Sequence, residues 1–345
     1  MRLYNVVDKK VLKQKIEDDT RPRTTLSFYK YAHIRNPQLF RDHLFILLDQ
    51  LEIMGRIYIS VEGINAQISV LEENWTKMKE ALNTIEFLQD IRLNQAIEDN
   101  GKSFYKLVIK IRDKIVADGL DDDSFDVTNK GLHLDAQAFN KLTDDPDTLI
   151  VDMRNHYESE VGHFSGSIKP DVETFRESLP IVEEMLSEHR NKNIVMYCTG
   201  GIRCEKASAY LKHKGFQNVH QLEGGIIEYS RQAKAQGLSN KFIGKNFVFD
   251  DRLGERISED IVSKCHQCGA PSDDHTNCAN DACHILFIQC SSCGESMNGT
   301  CSDKCKTFNA LPEDERSAKK GKMTFNGTKF GKGRYKAHRS HEKLD

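Results

Sequence analysis

In the first third of the chain the apolar positions switch between the strand period and the helix period. Residues 27–34 read as a strand, 37–51 as an amphipathic helix, 56–60 and 64–70 as two strands joined across Val61-Glu62-Gly63, 72–82 as a second helix, and 105–111 as a last strand. That order, βαββαβ, predicts a ferredoxin-like α+β domain over 1–117. Such sheets bind RNA in some proteins and are scaffolds in others, and the aromatic signature of an RNA-recognition motif is missing from this one. The pattern alone therefore assigns no function to the unit.

An acidic run at 118–126 opens a linker placed at 118–142. Beyond it short continuous apolar runs take over. Asn193-Ile194-Val195-Met196-Tyr197 has the length of a strand buried on both faces, 206–211 carries helix formers that stop near Gly215, and 175–189 is amphipathic. Strands alternating with amphipathic segments predict an α/β domain with a parallel sheet over 143–238. No apolar run exceeds about five residues, where a membrane span needs about 20, and the N-terminus has no signal-peptide core. The expected location is the cytoplasm.

Chemistry concentrates at Cys198-Thr199-Gly200-Gly201-Ile202-Arg203, between the strand ending at Tyr197 and the helix that follows. A cysteine there faces the positive end of a helix dipole and the free amides of a glycine loop, both of which favour a thiolate. Its pKa is expected to fall below the usual value of about 8.5. Gly200 and Gly201 allow several amides to turn inward, and Arg203 adds a fixed cation. A lone cysteine beside Gly-Gly would more simply be structural. Two further segments argue against that: Leu149-Ile150-Val151-Asp152-Met153-Arg154-Asn155 with Glu158 and Gly162-His163-Phe164-Ser165-Gly166-Ser167-Ile168, and Val219-His220-Gln221-Leu222-Glu223-Gly224-Gly225-Ile226.

In this order and spacing, 143–238 resembles the rhodanese domain. The resemblance implies that Cys198 is the residue that carries a persulfide, while Asp152, Arg154 and Glu158 are expected to hold the domain together. A tyrosine-phosphatase-type loop has one residue more between Cys and Arg than the four here, Thr199 to Ile202. The shorter loop suits sulfur better than phosphate. Thiosulfate sulfurtransferases often place a cation directly after the cysteine; here that residue is Thr199.

The net charge of −3 is unevenly spread, since the segment from 316 to 345 carries an excess of +8 and leaves −11 for the rest. Phe325, Phe330 and Tyr335 sit among these basic residues, with glycines at 321, 327, 331 and 333. The composition predicts a flexible basic tail over 311–345, either a polyanion-binding arm or a solvated appendage.

Of ten cysteines, Cys198 and Cys204 belong to the loop and the other eight form close pairs in the 239–310 region: Cys265 with Cys268, Cys278 with Cys283, Cys290 with Cys293, and Cys301 with Cys305. Four pairs suit two structural tetrahedral Zn(II) sites, with interleaved or sequential pairing equally compatible with the spacing. An iron–sulfur cluster is the competing cofactor, and His266, His275 and His284 are alternative ligands. Cys204, at the start of the helix, is a candidate to resolve a persulfide or disulfide on Cys198; helix packing is its other reading.

Val61-Glu62-Gly63-Ile64-Asn65, the loop 197–207, Gly244-Lys245-Asn246-Phe247-Val248-Phe249-Asp250 and the cysteine cluster together resemble one family from end to end, to about residue 310. It is the bacterial tRNA uridine hydroxylase family, whose members carry a rhodanese domain between an acylphosphatase-like domain and a cysteine-rich part. The resemblance implies oxygen-dependent hydroxylation of the wobble uridine of tRNA to 5-hydroxyuridine, with Cys198 essential, molecular oxygen as co-substrate and an unidentified reductant. A wobble base is unpaired and can enter a pocket, where a thiolate can add to C6 of the uracil and activate C5. A persulfide-based sulfurtransferase and a non-catalytic RNA-binding adaptor are the alternatives. No dinucleotide-binding fingerprint for a flavin is present.

Overall fold

The computed structural model describes residues 7–120, 125–320, 322–327 and 334–335. The N-terminal domain contains α1 (Lys9–Asp18), β1 (Arg23–Tyr31), α2 (Pro37–Asp49), β2 (Met54–Ser60), β3 (Gly63–Leu71), α3 (Trp75–Asn83), β4 (Asn94–Gln95) and β5 (Leu107–Ile111). Asn36 caps α2 through its side chain, and Pro37 occupies the first turn, where its missing N–H costs nothing. One sheet face is apolar: Leu26, Phe28, Ile57, Ile59, Ile64 and Ile68 bury against Leu44 and Leu48 of α2 and Met78 and Leu82 of α3. Alternation then turns Ser27, Tyr29, Tyr58, Asn65 and Gln67 to the opposite face, which lines a cleft.

The strand order is β4-β1-β3-β2-β5, with β2 and β5 parallel and the other pairs antiparallel. The strand beside β1 is therefore the two-residue β4, and the segment expected to close the βαββαβ pattern lies at the other edge as a fifth strand. A two-residue strand without apolar alternation leaves no periodic signal.

The central domain contains β6 (Leu132–Leu134), α4 (Ala136–Leu142), β7 (Leu149–Asp152), α5 (His156–Glu160), β8 (Gly162–Phe164), α6 (Phe175–Met185), β9 (Asn193–Tyr197), α7 (Ile202–His213), β10 (Asn218–Leu222), α8 (Gly225–Gln236), β11 (Phe242–Asn246) and β12 (Glu255–Arg256). Strands β6-β10-β9-β7 form a parallel sheet covered on both faces, by Leu179, Val182 and Leu211 on one side and Phe139, Ile226 and Tyr229 on the other. β11 pairs antiparallel with β8, so the segment following 238 begins as part of this domain.

The expected linker at 118–142 is not a free connection. It contains β6 and α4, Phe125 packs into the core of the central domain, and Asp118 is fully buried. Lys114 and Lys206 lie 2.7 and 2.5 Å from Asp118, which is why an acidic residue can be buried there. Residues 121–124 lie outside the described residues.

The C-terminal region has a hairpin, β13 (His275–Asn277) and β14 (Leu286–Ile288), then α9 (Ser291–Ser296), α10 (Asp303–Asn309) and α11 (Glu313–Lys319). The expectation of an unpacked tail fails in part. Phe325 is buried against Phe308, and Tyr335 stacks on Phe287 and His266. Phe330 and the glycines at 321, 331 and 333 lie outside the described residues. Among the described residues no helix is long and apolar enough to cross a membrane.

Candidate functional site

Cys198 lies immediately after β9 and ahead of α7, at the carboxyl end of the parallel sheet. Its sulfur accepts a hydrogen bond from the Gly201 amide at 3.1 Å. Burial alone would raise its pKa, but the Cys204 thiol, the Arg203 charge and the Arg203 and Gly201 amides outweigh burial and bring it down to about 6. Burial and the neighbouring Cys198 sulfur push Cys204 well above the ordinary thiol range. The two thiols are thus shifted in opposite directions, Cys198 toward the thiolate and Cys204 toward the thiol.

The loop is held from behind by α8. Ile226 donates its amide to the Cys198 carbonyl at 3.0 Å and Ile227 to that of Thr199 at 3.3 Å. This close approach explains Gly225, whose φ is +66° and where a Cβ would stand 2.4 Å from the Cys198 oxygen. Thr199 reaches the Phe247 carbonyl at 3.5 Å, while Gly200 and Ile202 line the cleft. Gly201, at φ +96°, leaves room for the Tyr29 hydroxyl, which would lie 2.9 Å from a Cβ there.

The Arg203 guanidinium forks onto Glu158 at 2.8 and 2.7 Å, with Phe249 under it at 5.8 Å. Its charge is already paired, so its effect on Cys198 comes through its field and its backbone amide. Arg154 is fully buried and bidentate on Asp152 at 2.9 and 2.6 Å, where the Tyr197 hydroxyl also donates at 2.7 Å. Asp152 and Arg154 bond to one another and to the protein framework, as the sequence pattern suggests.

Cys198, itself buried, is among the residues that line a cleft of about 710 Å³, within the range of small-molecule sites. The N-terminal sheet, the central-domain loop and the β11–β12 connection of the same central domain build it. The central domain supplies the loop and Tyr157; the outward face of the N-terminal sheet supplies Ser27, Tyr29, Tyr58, Asn65, Gln67 and Asn94; Val248, Phe249, Arg252 and Glu255 close the third side. The sequence reading assigns no role to the N-terminal sheet, and the signal it carried was the polar half of the β1 and β3 alternation. Asn94 Oδ1 and Glu255 Oε2 are buried without a hydrogen-bond partner. Burial raises the Glu255 carboxyl even though Arg252 lies 2.6 Å away.

The eight C-terminal cysteines converge in two groups, Cys265, Cys268, Cys290 and Cys293, and Cys278, Cys283, Cys301 and Cys305, each with its sulfurs within 4.8 Å of one another. The pairing is interleaved. Sulfur separations of 3.7 Å for Cys268–Cys290, 3.6 Å for Cys283–Cys301 and 3.7 Å for Cys301–Cys305 fit a tetrahedron of zinc–thiolate bonds of about 2.3 Å, whose edges are about 3.8 Å. Amides of Cys301 and Gly327 and the Asn280 side chain donate to sulfurs of the second group, a pattern that supports thiolate ligands. His266 Nε2 instead meets Glu160 at 2.9 Å, and neither His275 nor His284 joins a group.

Comparison with known proteins agrees with this architecture. Residues 23–115 match the UPF0176 acylphosphatase like domain, 135–232 the rhodanese-like domain, and 243–306 the rhodanase C-terminal family. A Pectobacterium carotovorum protein named tRNA uridine(34) hydroxylase is 56% identical over 95% of this chain and 92% of its own length. Relatives of the same name from Photorhabdus laumondii and Escherichia fergusonii are 53% and 54% identical over 97% and 96% of this chain and 95% of each relative. Identity at this level across all three parts, with the cysteine loop and both cysteine groups in place, makes the chain a member of the tRNA uridine(34) hydroxylase family.

Proposed function

We propose that the protein hydroxylates C5 of the uridine at position 34 of tRNA, giving 5-hydroxyuridine. The observation that carries this reading is the Cys198 thiol, bonded by the Gly201 amide and set with Arg203 in the lining of a cleft large enough for an unpaired base. Relatives at more than half identity bear the name of that activity.

Cys198 acts as the nucleophile. Its thiolate adds to C6 of the uracil, the C5–C6 π electrons move onto the C4 carbonyl as an enolate, and C5 becomes electron-rich. After oxygen is installed, loss of the C5 proton and departure of the thiolate restore the double bond. One atom of dioxygen ends on C5 and the other leaves as water, which takes two electrons and two protons from a reductant. Arg203 and the Gly201 amide keep the sulfur anionic, and Cys204 supplies the hydrogen bond that the departing thiolate regains. Zinc in both cysteine groups is structural, because four thiolates leave no open position. A free-thiol nucleophile and a tRNA substrate support a cytoplasmic location.

The test is nucleoside mass spectrometry of tRNA from cells lacking the gene, complemented with wild type or Cys198→Ser. Return of 5-hydroxyuridine or its derivatives with wild type alone supports the proposal. Unchanged uridine together with sulfur-labelled acceptors would favour sulfur transfer instead.

A further inference from the structure

Asn65 closes the Val61-Glu62-Gly63-Ile64-Asn65 segment and itself has no part in the cysteine chemistry. Its Nδ2 donates to the Ile115 carbonyl at 3.2 Å, and its Oδ1 accepts from Gln67 Nε2 at 2.7 Å. This short chain has only one polarity. A carbonyl oxygen accepts and never donates, so the Asn65 nitrogen must face Ile115, its oxygen must face Gln67, and the Gln67 nitrogen must face Asn65. The Gln67 oxygen is then left as an acceptor of fixed orientation on the cleft wall.

Its position suits the base. Ser27 pairs in register with Asn94 on one side and Gln67 on the other, and Gln67 pairs with Arg56, so one row of side chains crosses four strands. The row starts at the cysteine loop, because a Cβ on Gly200 would lie 3.8 Å from Asn94 Nδ2 and 4.0 Å from Ser27 Oγ. Gln67 stands one strand further on, about 4.8 Å away. In uracil N3 lies across the ring from C6, so a base with C6 at Cys198 turns its N3–C4 edge toward that part of the sheet.

We infer that Gln67, locked by Asn65, reads the N3–C4 edge of the base and selects uracil over cytosine. The Gln67 oxygen accepts the N3 proton of uracil and its second Nε2 proton reaches O4. Cytosine in the same pose sets an acceptor, N3, against the Gln67 oxygen and a donor, N4, against its nitrogen. An amide free to turn over would satisfy either base. The Asn65 link removes that freedom, so Gln67 is the reading residue and Asn65 a positioning residue.

The inference rests on the uridine-34 reading above, and binding separates the two. Anticodon stem-loop RNAs differing only in U34 or C34 compete for the full-length wild type, Gln67→Ala and Asn65→Ala, with hydroxylation followed in parallel. Wild type should prefer U34 by about tenfold or more, the scale of one lost buried hydrogen-bond match. Gln67→Ala should bring the two within about twofold by weakening U34, and Asn65→Ala by strengthening C34 while Gln67 stays in place. Retained C34 binding in the variants reports an intact RNA site. A wild type without preference, or either variant keeping the wild-type ratio, overturns the inference. Discrimination without hydroxylation leaves base reading intact and removes the proposed reaction; hydroxylation with a preference unmoved by either change removes base reading alone.

Discussion

Glu62, in the turn between the second and third strands of the N-terminal sheet, lies 2.6 Å from the ammonium of Lys206, which is fully buried in the helix that starts at the cysteine loop. Asp118 holds the same ammonium at 2.5 Å. Two carboxylates from the N-terminal domain and its connection thus clamp the helix whose first turn cradles Cys198.

Lys206→Met takes from Asp118 one of its two lysine partners and leaves Glu62 with the Ile115 amide alone, and should destabilise the protein by about 2 kcal/mol, measured by denaturant unfolding. The pH dependence follows from both partners. Burial alone would raise Asp118, but Lys114 and Lys206 hold it below its ordinary value; burial alone would lower Lys206, but Asp118 and Glu62 hold it above. The pair's stabilisation should therefore be present between about pH 4 and pH 10. It is lost as pH falls through the depressed folded value of Asp118 or rises through the elevated folded value of Lys206; the Met variant should lose the alkaline limb and keep part of the acid one, because Lys114 still holds Asp118.

Alkylation of Cys198 should titrate with a midpoint near its pKa of about 6, with the thiolate populated above it. Arg203→Met and Cys204→Ala each remove a stabiliser and should move the midpoint upward, by about one unit or more when a charge-assisted hydrogen bond is lost. Mass spectrometry of peptides after mild oxidation tests the other role of Cys204. A Cys198–Cys204 disulfide would make it a resolving thiol as well as a donor.

Gly225→Ala places a Cβ against the Cys198 and Thr199 carbonyls, at 2.4 and 2.5 Å, from a backbone at φ +66°. The left-handed conformation alone costs about 1–2 kcal/mol, and the contact forces the loop away from α8. Hydroxylation should fall by about a hundredfold or more, the effect of roughly 1 Å of misplacement. Gly237→Ala, at φ +64° with no atom within 4 Å of its Cβ, should carry only the conformational cost.

Metal analysis should find two zinc ions per chain, released in two phases by a chelator. The faster phase belongs to the group containing the exposed Cys268, the slower to Cys278, Cys283, Cys301 and Cys305, all buried. Cys305→Ser should remove the slow phase and destabilise the C-terminal region, because binding of a structural metal is coupled to folding.

What could be read from the chain follows the range of the interactions. The Cys198 loop was legible because strand, glycine turn and helix are contiguous. The Gly224-Gly225 step was visible as a pattern, but its reason, contact with the carbonyls of Cys198 and Thr199, arises only when two βα turns meet. Ser27, Gln67 and Asn94 come from three strands, and only register puts them in one row. Asp118 read as linker because its lysine partners lie at positions 114 and 206. Cysteine spacing located four pairs but could not choose the interleaved arrangement, which depends on how the hairpin folds between them.

The most direct measurement is hydroxylation of a U34 anticodon stem-loop by the purified protein and its Cys198→Ser variant under isotopically heavy dioxygen in ordinary water, with a two-electron reductant present. The account predicts one heavy oxygen on C5 of uridine 34 with wild type and none with the variant. Oxygen drawn from water, or equal product from the variant, would contradict it.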